Sequence, residues 1–261
     1  MATSYNTVTG APMAESPYVQ KNVSFTRPAN TTAYAIGDAV APVTATITGA
    51  TNANPSVVTT SAAHGLATDD RVTIAGSVGN TAINGTFKVV VLTATTFSLK
   101  TEAGVSVAGN GAWTSGGTVQ KLLRFTDVVP AAGGSGAIIS VRLQVSSATI
   151  TLGTFRVRFF TEPVAQIADN AAFTLLDADR DKRAGYVDLD ILATDGAGSD
   201  SAETVKMLDQ PLPFTCAPTR TDLFAQIIAL GAYVPESGDT FKLEITVRRD
   251  QVPSLATVAQ R

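Results

Sequence analysis

"FKLEITVRR", residues 241–249, places Phe241, Leu243, Ile245 and Val247 on one side of an extended chain and Lys242, Glu244, Thr246 and Arg248 on the other. Successive side chains of a strand point to opposite faces, so this stretch reads as a half-buried β-strand, apolar toward a core and charged toward water. "SVRLQV" (140–145) repeats the pattern, with Val141, Leu143 and Val145 against Arg142 and Gln144. "TFRVRFF" (154–160) does so again, Phe155, Val157 and Phe159 facing inward and Arg156 and Arg158 outward. Turn-rich stretches separate such runs: "AAGGSG" at 131–136, "ATDGAGSD" at 193–200 and "PESGD" at 235–239. Helical periodicity is scarce, and many short strands between Gly- or Pro-rich turns predict a sandwich or jelly roll. "TRTDLFAQIIALGAY" (219–233) also fits a helix face through Leu223, Ile227 and Leu230. It is read as a strand, because "VPESGDT" (234–240) then closes a hairpin onto the alternating 241–248 segment.

Residues 47–118 have another texture, rich in Thr, Gly, Asn and Val. Strands are expected at "SVVTT", "RVTIAG", "GTFKVVVL", "TFSLK" and "GTVQK", enough for a small barrel or compact sandwich. This stretch reads as a domain inserted between an early strand near "YAIGDAVAPV" and its continuation at "LLRFTDVV". Insertion at a surface turn is tolerated when the two ends lie close together. The expected architecture is therefore all-β: a jelly-roll or β-sandwich core of residues 31–46 plus 119–261, carrying a small β-barrel-like domain at 47–118. Residues 1–30, with Pro12, Pro17 and Pro28, are expected to form an extended N-terminal arm that adds a strand to a neighbour's sheet edge.

Composition narrows the function classes. Only 16% of residues are charged while 44% are hydrophobic, against about 25% charged in an average soluble domain. A surface built from neutral Thr, Ser, Asn, Gly and Ala loses little desolvation energy when another subunit covers it, which favours packed assemblies. Nineteen basic residues face 22 acidic ones without a basic cluster, so nucleic acid is not an expected partner. No apolar run reaches the length of a membrane span, and "MATSYNTVTGAPMAESPYVQ" lacks the cationic start and apolar stretch of a secretory signal. A soluble chain made in the cytoplasm is expected. Cys216 has no second cysteine to pair with and reads as a small buried hydrophobe.

Two resemblances add to this reading. "TTAYAIGDAVA", with Tyr34, Gly37, Asp38 and Val40, is followed after the insert by the glycine turn into the Val141 strand, "FRVRFF", "IADNAAFTL" and "RAGYVDL". This part, well over half the chain, resembles jelly-roll decoration, or cement, proteins of tailed-bacteriophage capsids. The insert, through "AHGLATDDRVTIAG" and "NGTFKV", is similar to a small β module of phage structural proteins, compared distantly with a β domain of ubiquitin-activating enzymes. It departs from that module at Thr68 and Asp69, where a small-residue turn is usual; only a loop is affected. The resemblance implies a virion protein on the outer capsid surface, made in the bacterial cytoplasm. Its partners would be the major capsid protein and further copies of itself, as dimer or trimer, with no nucleic acid, membrane or cofactor.

Candidate chemistry is sparse. His64, the sole histidine, stands near Asp69 and Asp70, but a triad needs a nucleophile and a zinc site three or four ligands, so His64 is expected to bond a turn backbone. "DADRDKRAGYVD" sets Asp177, Asp179, Asp181 and Asp188 in a partial echo of a calcium loop. Lys182 occupies the glycine position and Arg183 follows, so a salt-bridged turn is expected instead. A dispersed carboxylate pair of a hydrolase is possible in principle, since carboxylate separation is three-dimensional. Catalytic, cofactor and metal residues are all expected to be absent. Tyr5, Tyr18, Phe25 and Arg27 are the candidate subunit or capsid interface, and Trp113 the candidate exposed surface of the insert. The alternative function is a tail- or fibre-associated adhesion module binding host glycan around Trp113.

Overall fold

The computed structural model describes residues 16–147, 153–194 and 201–250. In chain order, β1 (Tyr18–Thr26) and β2 (Ala39–Val40) come first. Then follow β3 (Thr44–Ala50), β4 (Val57–Thr60), β5 (Arg71–Ala75), β6 (Gly85–Val91), β7 (Thr96–Lys100) and β8 (Thr118–Lys121). The chain continues through β9 (Leu123–Phe125), β10 (Ser135–Val145), β11 (Phe155–Phe160), β12 (Arg183–Leu189) and β13 (Ala193–Thr194). It ends in β14 (Ala202–Thr215), β15 (Leu223–Ala229) and β16 (Thr240–Arg249).

One sheet runs β1-β16-β10-β14-β13 and the facing one β12-β11-β15-β2, with β9 also paired to β15; every ladder is antiparallel. Apart from the hairpin β11-β12, the short β13, and β2 and β9 on either side of the barrel strands, consecutive core strands cross from one sheet to the other, which is the jelly-roll order. The expected all-β jelly-roll sandwich with a small barrel is what forms. The alternating stretches behave as their pattern dictates: Phe241, Leu243, Ile245 and Val247 are buried in β16, and Val141, Leu143 and Val145 in β10. Phe25 stacks on Phe241 at 5.4 Å between centroids, and Phe155 meets Phe241 edge-on at 6.1 Å, joining the two sheets through aromatic contacts.

Two expectations change here. The hairpin between 223–230 and 241–248 does not form, because β15 and β16 lie in opposite sheets and residues 230–239 cross between them. All seven residues of β15 are buried, so this strand is central rather than a water-facing hairpin arm. Its outer side, Phe224, Gln226 and Ile228, lies beside Phe160, Arg158 and Arg156 of β11. The segment after β11 covers that side, packing Val164, Phe173 and Leu175 with Phe160 and Phe224. The N-terminal arm is also replaced over Tyr18–Thr26, which pairs with β16 of the same chain along its whole length. Val23 and Phe25 point into the core, so burial fixes this segment in its own sheet.

β3 to β8 close a six-stranded barrel in the order β3-β4-β7-β6-β5-β8, with β8 returning to β3. The barrel starts at Thr44 rather than 47, since β3 is the closing strand beyond the five expected, and its last strand ends at Lys121. It has its own core, including Ile47, Val72, Ile74, Val89, Phe97 and Leu99. Its loops pack closely: a Cβ on Gly79, whose φ is +85°, would lie 2.1 Å from the Ala112 carbonyl oxygen, so only glycine fits. Entry and exit lie side by side, Thr44 pairing with Gln120. β2 and β9 both run along β15, Val40 opposite Ile227 and Leu123 opposite Ala225. They are therefore the two halves of one jelly-roll strand, interrupted by the barrel opposite Gln226.

Candidate functional site

The residues singled out in the sequence fall in separate places. Tyr5 lies outside the described residues. Tyr18 is half exposed on edge strand β1, whereas Phe25 and Arg27 are buried, so neither of these two is a surface contact. Arg27 donates to the Tyr34 hydroxyl (3.0 Å), to the carbonyls of Asn30 (2.5 Å) and Glu236 (3.0 Å), to Asn30 Oδ1 (3.1 Å) and to Asp169 (3.2 Å). It is a structural clasp. Trp113 is half buried against the barrel core, and its indole N–H donates to the Gly116 carbonyl at 3.1 Å, so it is no free aromatic platform.

His64 does what a turn histidine does. The Leu66 amide donates to Nδ1 at 3.0 Å, so Nε2 carries the hydrogen and faces the Thr93 carbonyl at 3.1 Å. The ring shares a cleft between barrel and jelly roll with Ser24, but both of its nitrogens are engaged by backbone, which leaves no base for that hydroxyl. Asp70 accepts the Ala67 amide (2.8 Å) and pairs with Lys121 (2.8 Å). Asp177–Lys182 is a 3-10 turn in which Asp177 pairs with Arg180 and Asp179 with Lys182. Asp188 stands well along β12, bonded to Arg156. Among the described residues no three His, Cys, Asp or Glu side chains converge as a metal group would require.

Two charge clusters were not legible in the sequence. At the junction, Arg71 of the barrel donates from Nε to both oxygens of Glu102 (2.8 and 3.1 Å), and Arg220 of the jelly roll meets the same carboxylate at 2.8 Å. Arg124 pairs with Asp222 and also donates to the Asp69 carbonyl at 3.2 Å. Burial, then the neighbouring Arg124, pulls the Arg71 guanidinium below its usual range. Glu102 and Asp222 are thus held as structural counter-ions.

The second cluster lies on the outer side of β11 and β12. Asp188 receives two bonds from Arg156 (2.6 and 2.7 Å), and the Arg156 guanidinium lies 4.1 Å from the Tyr186 ring centroid. Arg158, two residues on, sits 5.5 Å from Tyr186 and 5.2 Å from Phe173. It makes no hydrogen bond or ion pair with any described residue, and its Nε is buried without a partner. Gln226, directly opposite in the ladder, donates to the Ala165 carbonyl at 2.9 Å but leaves a buried Oε1 unpartnered. The Arg156 bond holds the Asp188 carboxyl below the usual range, while burial, with Arg156 and Arg183 nearby, lowers the Arg158 guanidinium. The only sequence signals were arginines alternating with Phe and a lone Gln inside "LFAQIIA".

Comparison with protein-family models gives no match, and comparison with curated proteins gives none.

Proposed function

We propose that this protein is a non-enzymatic structural component of a tailed-phage virion, a decoration or cement protein on the outer face of the head. The observation that carries the reading is the jelly roll with a self-contained barrel set into one of its strands, in the chain segments that resemble phage structural proteins. A rigid sandwich fits a role of seating on a shell, and a barrel joined through two adjacent chain crossings can be presented beyond it. The mechanism is mass action: a protein that binds only the assembled lattice, across capsomer boundaries, stabilises the lattice by that binding free energy. Repetition over a symmetric shell makes weak contacts effective together. Partners are the major capsid protein and further copies of this chain. The test mixes purified protein with undecorated heads and, separately, with isolated tails, and quantifies co-sedimentation. Saturable binding to heads at a fixed copy number, with a raised shell melting temperature, is the expected result. Binding to tails or host cells alone would move the function to adhesion.

A further inference from the structure

We propose that Arg158, beside Phe173 and Tyr186, is a carboxylate-binding anchor that receives an acidic side chain from a partner protein. The inference is independent of whether that partner is a capsid.

Arg158 is placed as an anchor rather than as a solvated charge. Both rings lie against its guanidinium, with centroids at 5.2 and 5.5 Å, which restricts the long side chain before any partner arrives. A half-buried cation without a counter-ion is unfavourable, and here two further arginines raise the local positive potential. Arg156, Arg183 and Asp188 stand near Arg158, and Arg156 takes the Asp188 carboxylate. Among the described residues Arg142, Arg124 and Arg27 each pair with an acid; Arg158 pairs with none. Its Nε is sealed beside Gln226, so the fork of Nη atoms is the part left to a ligand.

A planar guanidinium fork lying against rings matches a planar carboxylate, which it can hold through two parallel bonds. Asp188 beside the patch opposes a phosphate dianion more strongly than a single carboxylate. Tyr and Arg side by side on an exposed sheet face are also the residue types that dominate protein interfaces. The patch therefore suits an acidic protein segment.

The test follows the Arg158 Nε–H resonance in the whole protein by nitrogen-edited NMR. A tetraglutamate peptide blocked at both ends, a blocked tetraglutamine peptide, inorganic phosphate and sodium chloride are added at matched ionic strength. Tetraglutamate is expected to shift the Arg158 Nε–H and Gln226 side-chain signals saturably, at least tenfold more tightly than phosphate. Tetraglutamine and chloride should leave both signals in place. R158Q and R158K, each checked for a cooperative melt, should both weaken the peptide at least tenfold, since lysine keeps the charge but not the fork. Equal shifts with chloride, phosphate binding as tight as tetraglutamate, or peptide binding that survives in whichever variant folds would each overturn the proposal.

Discussion

The guanidinium of Arg27 and the carboxylate of Asp169 meet at 3.2 Å with both side chains almost wholly out of water. Asp169 also accepts the Tyr34 hydroxyl at 2.5 Å and the Ala41 amide at 3.0 Å, so one carboxylate ties the segment after β1 to the start of the interrupted strand. Arg27→Ala would leave that carboxylate buried and uncompensated, which costs about 3–5 kcal/mol. Tyr34→Phe removes the hydroxyl that accepts from Arg27 and donates to Asp169, while leaving the ion pair in place, and should cost about 1.5–3 kcal/mol. Denaturant unfolding checks both, and an Arg27→Ala loss below that of Tyr34→Phe would refute the clasp.

The barrel should be removable. Its strands return to their starting point, Thr44 beside Gln120, and its core cluster is separate from that of the jelly roll. Joining Val43 to Leu122 through a short Gly-Ser linker should leave a protein that melts cooperatively with a β-type circular dichroism spectrum. Loss of a cooperative transition would show that β15 needs the barrel beside it to fold.

The strands that period-two alternation revealed are those with one wet face, such as β10, β11 and β16. β15 escaped full description because both its faces are covered, and a strand buried on both sides carries no alternation to read. β2 and β9 are two and three residues long, too short for any pattern, and only their shared pairing with β15 makes them one strand. In β1, half-buried Lys21 shares the inward set with Val23 and Phe25 and breaks the apolar alternation, while the prolines on either side point to an extended arm. The Arg158 site was illegible because Phe173 and Gln226 reach it from distant segments.

Glu102 bridges Arg71 and Arg220 and thereby fastens the barrel to the jelly roll. Glu102→Gln keeps the shape and removes the charge. About 1–2 kcal/mol of stability should go, less than for a fully buried pair because Glu102 is one-third exposed. The loss should shrink as salt is raised, since screening already weakens the native pair. A salt-independent loss would point to packing instead.

Acid should act on the outer ladder in a defined direction. The Arg156 bond lowers the Asp188 pKa below its ordinary 3.8, so its stabilising contribution is complete above that value and disappears as pH falls through the folded value. Asp188 is nearly half exposed, so the pair is worth about 0.5–1 kcal/mol. Asp239 works in the opposite sense: burial raises its pKa, so protonation favours the folded state as pH falls through that raised value. Asp188→Asn should therefore flatten the acid limb of a stability-against-pH curve, and Asp239→Asn should steepen it. Identical limbs in the two variants would remove the electrostatic explanation.

Cys216 gives a readout of how the jelly roll opens. The thiol is 2% exposed, and burial, with Asp222 close by, pushes its pKa up to about 12. At pH 8 the nucleophilic thiolate is thus scarce as well as hidden, and labelling by thiol–disulfide exchange has to wait for the β14–β15 region to separate. The native protein should resist an aromatic disulfide reagent that labels it fully in denaturant. In Arg27→Ala, the labelling rate should rise exponentially with the lost stability if opening is global, about tenfold for each 1.4 kcal/mol lost, because reclosing outpaces labelling and the rate tracks the open population. An unchanged rate in that variant would mean that the region around Cys216 opens locally, uncoupled from the clasp at the other end of β15.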